Sequence, residues 1–260
     1  MSEPISIRFH DQLDYFLPVE QRQQAFDVEF KKARSVKDLI ESIGIPHTEI
    51  DLILSNGRSV DFAYQVQPGD KIDVYPVSRS LDFSQFEPVI THCQPEPLAE
   101  TRFVLDVHLG RLAAYLRMLG FDTLYRNDYD DPALAVISAE QCRILLTCDR
   151  MLLMRKQVSY GYYVRNRKPQ QQLKEILSRY HLYDEIKPFS RCMHCNGNTR
   201  YINKRHIETH LLAKTKKYYD EFYQCDSCKK IYWQGSHYLR MQDMINKVRE
   251  DTHTSILDND

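Results

Sequence analysis

Apolar residues recur along this chain with two different periods. Ile5-Ser6-Ile7-Arg8-Phe9 alternates apolar and polar positions, the pattern of a half-buried strand. A second alternating stretch lies between Gln23 and Phe30, with Ala25, Phe26, Val28 and Phe30. Val36, Leu39, Ile40 and Ile43 then share one helix face, entered through a Ser35/Asp38 capping box and left at Gly44. Ile50 to Leu54 reads as a strand and Asn56-Gly57 as a tight turn. Pro68-Gly69-Asp70 is another turn before Ile72 to Val77. Two strands, a helix and more strands within about 75 residues is the order of a β-grasp domain.

Residues 79–101 read as a linker or an ordered arm. Pro88, Pro95 and Pro97 keep it extended, and Phe83, Phe86 and Val89 predict that it packs on something. Phe103-Val104-Leu105 is then a short apolar run that stops at Asp106. Leu109, Leu112, Leu116 and Leu119 recur at helix spacing, with Gly120 where a helix end wants positive φ. Asp122 to Tyr125 predicts a strand, Pro132 to Glu140 a helix, and Arg143 to Thr147 a buried strand followed by Asp149. A helix from Arg150 to Lys156 and a last strand over Tyr160 to Val164 complete the run. Strand–helix–strand–helix–strand is the pattern of an α/β fold with a parallel sheet, which binds ligands at the carboxyl ends of its strands. Further on, Leu173, Ile176, Leu177 and Tyr180 form a helix face with Lys174 and Arg179 outside it.

Charge changes this picture by its distribution. The net charge of the 260 residues is −1. Residues 150–249 hold 21 Lys+Arg against 8 Asp+Glu, residues 1–149 hold 14 against 24, and residues 250–260 hold four acids and no base. A basic half predicts a polyanion partner, while the first module, with 9 bases against 17 acids over residues 1–101, is unsuited to RNA. No stretch approaches the roughly 20 apolar residues that span a bilayer, and the chain opens on strand-like alternation, so the expected location is the cytoplasm. There the seven cysteines suit metal ligation and buried thiols better than disulfides. His92-Cys93 lacks a second pair at ligand spacing and is read as ordinary, and Cys148 as a buried thiol.

Cys192-x-x-Cys195 and Cys225-x-x-Cys228, roughly 30 residues apart, read as a four-thiolate structural zinc site, a zinc ribbon. Each pair is followed by a turn, Asn196-Gly197 and Lys229-Lys230, and His194 is expected not to be a ligand. Basic residues interleaved with tyrosines suit single-stranded RNA. Arg111, Arg117, Arg150, Arg165, Arg167, Lys168 and His237 are the candidates for phosphate contact, with Arg111 and Arg117 expected off the leucine stripe of their helix. Trp233 is expected to pin the ribbon in place, a base-stacking role being the alternative.

The segments FVLDVHLGRLAAYLRMLGFDT, ILLTCDRMLL, RCMHCNG and YQCDSCKKIYWQGSHYLRM, with Asp131-x-x-Leu134, occur here in one order. On them the chain resembles the Mut-seven C-terminal ribonuclease family, over roughly its last 150 residues. That resemblance implies a PIN-like, metal-dependent ribonuclease domain followed by a zinc ribbon. The first module is similar to the ubiquitin-like domain that precedes some family members, without the terminal Gly-Gly of a sulfur carrier. The expected segments are a ubiquitin-like domain over 1–78, a linker over 79–101, a nuclease domain over 102–187, a ribbon over 188–249 and a disordered tail over 250–260.

The family places its acidic positions at Asp106, Asp131 and Asp149, with Asp130 and Asp128 near enough to join. Carboxylates at strand ends suit Mg²⁺ or Mn²⁺, which generate a nucleophilic water and neutralise a leaving oxygen. Pattern alone leaves another reading open, in which Asp106, Asp131 and Asp149 are helix N-caps. Two rival functions also stand: an RNA-binding protein without activity, and an adaptor that recruits a protein partner through its ubiquitin-like domain.

Overall fold

The computed structural model describes residues 3–77, 91–236, 238–240, 242–243 and 246. The chain divides into two compact units, residues 1–100 with 130–163, and residues 101–129 with 164–260. Both cut across the segments delimited from sequence, because the ribonuclease-like stretch contributes to each.

In the first unit, strand β1 (Ile5–Phe9), β2 (Phe26–Val28), β3 (Ile50–Ser55), β4 (Arg58–Val60) and β5 (Lys71–Pro76) form one sheet in the order β2-β1-β5-β3-β4. The central pair β1–β5 is parallel and the others are antiparallel, the β-grasp arrangement. Helix α1 (Val36–Ile43) starts at Ser35, whose side chain accepts from the Asp38 amide at 3.1 Å, and ends at Gly44 with φ of 103°. Asn56 and Gly57 both take positive φ, so the two-residue hairpin between β3 and β4 matches the strand twist. The alternation of β1 becomes burial: Ile5, Ile7 and Phe9 join Leu39, Ile40, Ile53, Ile72 and Val74 in one core.

Of the expected arm, Phe83, Phe86, Pro88 and Val89 lie outside the described residues. Residues 91–96 run beside β3 and β4: Cys93 N donates to Asp51 O, and Thr91 N to Ser59 Oγ. Cys93 packs on the core, and burial, followed by Asp51 and Asp61, pushes its thiol up to about 12. His92 pairs with Asp51 at 3.1 Å, so the His92-Cys93 dipeptide is ordinary, as expected.

The same unit contains α3 (Asp131–Glu140), β8 (Ile144–Thr147), α4 (Arg150–Leu153) and β9 (Gly161–Tyr163), with β8 and β9 parallel. Helix α4 stops three residues earlier than the expected Lys156, because Arg155 O accepts from Val158 N in a turn. The β-grasp sheet and this stretch are packed together through the turn before β3. His47 lies 2.6 Å from Glu41 Oε1 and 2.8 Å from Val158 O, and the Tyr163 amide donates to Glu49 Oε1 at 2.7 Å. His47, Thr48 and Glu49 are all buried.

In the second unit, β6 (Arg102–Leu105) pairs in parallel with β7 (Asp122–Leu124), joined by α2 (Gly110–Met118). Helix α5 (Pro169–Tyr180) packs against α2, and Leu112 and Leu116 are buried with Leu173, Ile176 and Leu177. Gly120 has φ of 97°, and a Cβ there would strike Lys187 O, so the position requires glycine twice over. A small antiparallel sheet follows, β10 (Thr199–Ile202), β11 (Phe222–Cys225) and β12 (Ile231–Trp233), with α6 (Ala213–Tyr218) between its first two strands. No described helix is long and apolar enough to cross a membrane.

Candidate active site and four-cysteine centre

Asp106 follows the last residue of β6 and is 7% exposed; its carboxylate accepts from the His108 amide at 3.2 Å. Asp149 lies two residues past the end of β8, exposed, and its Oδ1 accepts from the Met151 amide at 2.7 Å. Its own amide donates to the buried Thr147 hydroxyl at 2.9 Å, which fixes the backbone at that strand end. Both aspartates therefore do the capping that the pattern allows.

Asp131 is different. The helix begins one residue earlier than expected for a cap at 131, and Asp130 is the N-cap, accepting from the Ala133 amide at 2.9 Å. Asp131 is the first helical residue, Pro132 the second, and the Asp131 carboxylate faces Arg155 at 3.8 Å. Asp128 is exposed and held by both Nε and Nη2 of Arg126 at 2.8 and 2.6 Å. That ion pair lowers the Asp128 carboxyl below its usual range.

Among the basic candidates, two leave the expected surface. Arg117 is 5% exposed. It donates to the carbonyls of Thr123, Met193, His194 and Tyr125 at 2.8 to 3.4 Å. Burial lowers its pKa, and the neighbouring Cys192 and Cys195 oppose that fall. Four of its five N–H groups are directed at backbone carbonyls. Arg150 donates to Phe16 O at 3.1 Å and lies over the rings of Phe16 and Tyr163 at 4.9 and 5.8 Å. It packs the β-grasp domain onto α4 rather than extending into solvent. Arg111, Arg167 and Lys168 are exposed and Arg165 is half-buried. The amides of Arg165 and Asn166 donate to the Glu175 carboxylate at 2.9 and 3.0 Å, which shapes the loop before α5. His237 lies outside the described residues. Cys148, expected buried, is exposed, since the fully buried run of β8 ends at Thr147.

The four cysteines come together. Among the described residues they are the one set of three or more His, Cys, Asp or Glu side chains whose ligand atoms all lie within 4.8 Å of one another. Cys192 and Cys228 sulfurs are 3.5 Å apart, as are those of Cys195 and Cys225. The two pairs are built alike. Cys195 N and Cys228 N each point at the first sulfur of their own pair, at 3.5 and 3.4 Å. Cys192 N donates to Gly197 O and Cys225 N to Lys230 O, and Asn196 and Lys229 supply the positive φ each turn needs. His194 is exposed and outside the cluster.

Burial raises the Cys192 thiol, but the Tyr232 hydroxyl and the amides of Cys195 and His194 outweigh it and bring it down to about 6. Desolvation and the three neighbouring sulfurs push Cys228 up to about 12. One thiol ionises early and another resists, because a first negative charge disfavours a second in the same space. The first cysteine turn is fastened to β7: Asn196 accepts from the Thr123 amide at 3.0 Å and donates to Asp122 at 2.8 Å, while Arg191 lies 3.4 Å from Asp122.

A β-grasp sheet, α/β elements with parallel strand pairs and a four-cysteine ribbon define a mixed α/β protein of modular make-up. The family model of the Mut7-C RNAse domain matches residues 101–245, more than half of the chain, and that of the Mut7-C ubiquitin domain matches residues 2–82. The chain belongs to the Mut7-C RNAse family, and its domain implies ribonuclease activity on RNA. Among curated proteins and solved structures, none matches it.

Proposed function

We propose that the chain hydrolyses RNA phosphodiester bonds with Mg²⁺ or Mn²⁺ held by Asp106, Asp131 and Asp149, and that zinc occupies the four-cysteine centre. The observation that carries the reading is the ribonuclease-family match over a segment in which carboxylates follow the ends of parallel strands. Hard divalent ions take carboxylate oxygens, and three aspartates are a donor set of that kind. Asp131 is relieved of capping by Asp130, and its exposed ion pair with Arg155 would yield to such an ion. When bound, the ion activates a water and neutralises charge on the leaving oxygen. Arg111, Arg165, Arg167 and Lys168 then serve the strand as phosphate contacts.

The adjacent capping and site aspartates make a sharp test. Asp131→Asn should abolish cleavage of labelled single-stranded RNA in Mn²⁺. Asp130→Ala should leave the rate within about threefold while lowering stability by about 1 kcal/mol. Equal rates in the two variants would remove Asp131 from the site.

Zinc fits the cysteines on geometry. A tetrahedral ion with bonds of about 2.3 Å sets its sulfurs about 3.8 Å apart. The sulfurs here, at 3.5 Å in two pairs and within 4.8 Å overall, match that spacing with small adjustment. Four thiolates leave no open position, so the role is structural.

A further inference from the structure

The ribbon carries a cavity of about 560 Å³, within the size range of small-ligand sites. Phe189, Tyr218, Tyr219, Tyr232, Trp233 and Tyr238 supply rings to its wall, and Lys214 supplies a charge. Of these six, Phe189 is buried and packs on Tyr238 at 4.7 Å. Phe222 is the fully buried aromatic residue of the small sheet, and Trp233 packs against it at 6.4 Å while remaining half-buried. Tyr218 stays 67% exposed at the cavity, so its ring is open to a ligand.

The charge around the cavity has one sign. Residues 191–236 hold nine Lys+Arg against four Asp+Glu. Three of those bases answer acids of the same module, Lys216 to Glu208 at 2.6 Å, Lys204 to Asp220 at 2.7 Å and Arg200 to Asp226 at 2.9 Å. Among the described residues, no acid lies within ion-pair range of Lys214, although it lines the cavity and is exposed.

We infer that this cleft is a base-binding subsite for single-stranded RNA, in which a nucleobase stacks among the rings and Lys214 meets the adjoining phosphate. The inference rests on the ribonuclease reading and names where, away from the aspartates, the strand is held. Rings offer a π-face that every base can use, so such a subsite tolerates sequence. Tyrosine hydroxyls add donors and acceptors for a base edge. An acidic peptide would answer the lysine but has little use for six rings.

The chain has a single tryptophan, and it lines the cleft, so its fluorescence reports the site directly. The full-length chain with Asp149→Asn is titrated, without added divalent ion, with an end-labelled oligoadenylate of about eight nucleotides. Label anisotropy and Trp233 emission are followed together. The expected result is quenching that saturates with the same midpoint as the anisotropy. Tyr218→Ala should raise that midpoint about tenfold and Lys214→Ala about threefold, with circular dichroism unchanged. Anisotropy that saturates while Trp233 emission and both variants stay at the starting values would overturn the inference and leave the ribonuclease reading standing. Quenching by poly-glutamate and not by RNA would replace it with a peptide site. If neither signal moves and the unmutated chain cleaves nothing, both readings fall.

Discussion

Arg117 is the residue whose role is most different from its appearance in sequence. Written as one of several arginines on a helix, it suggests a solvated face. In the fold it joins four backbone carbonyls from β7 and the first cysteine turn. The signal was present: Ala113 stands four residues before it, a small buried residue flanking the leucine stripe, so Arg117 falls at the stripe's edge. Arg117→Met should cost about 3 kcal/mol, since buried carbonyls lose a charged donor and cannot reach water. Arg117→Lys should recover less than half of it, because one ammonium cannot replace a planar fork. Urea unfolding midpoints measure both, and an unchanged midpoint in Arg117→Met would mean that those bonds do not hold the ribbon. Arg150 likewise makes a contact that its sequence neighbourhood does not show. A cation beside an acidic candidate looks like a phosphate ligand, and nothing local announces that Phe16, 134 residues away, accepts from it.

At the scale of elements, periodicity and punctuation made most of the fold legible. The capping box at Ser35, the Asn56-Gly57 hairpin and the left-handed glycines at 44 and 120 each occur where the sequence places them. The cysteine turns were legible too, because four ligands at fixed spacing leave little freedom. What escaped was local chain length. Helix α4 is one turn, and the cap of α3 shifted by one residue because two adjacent aspartates compete for the same amide. That shift bears on the site, since it decides which carboxylate is spent on the helix. Gly120→Ala tests the junction of α2 and β7: a positive φ and the approach of Lys187 O should together cost about 3 kcal/mol. A thermal midpoint within a degree of the parent would show that the turn can relax around a methyl group.

At the scale of the molecule, the β-grasp domain is a packed part of the first unit rather than a free module. The turn His47-Thr48-Glu49 reads as polar loop in sequence, yet it is buried against the segment from Val158 to Tyr163. Only the fold could reveal this, because the partners are more than 100 residues apart. Glu49→Ala should lower the unfolding free energy by about 2 kcal/mol through the orphaned Tyr163 amide, and Glu49→Gln should recover most of it. Equal losses in the two would point to packing rather than the hydrogen bond.

The cysteine centre predicts one zinc per chain by elemental analysis. A strong chelator should release it and unfold the ribbon, seen as a red-shifted and weakened Trp233 emission. Zinc-free protein with unchanged emission would mean that packing alone holds the sheet.

The proposed activity is metal-dependent RNA hydrolysis at Asp106, Asp131 and Asp149. Its most direct measurement is cleavage of end-labelled single-stranded RNA in Mn²⁺ by the full chain, beside the Asp106→Asn/Asp149→Asn variant at matched folding. The account predicts products that need the added ion and a rate reduced at least about a thousandfold in the variant. Cleavage that persists in the variant, or RNA bound and left intact by the parent at every ion concentration, would contradict it.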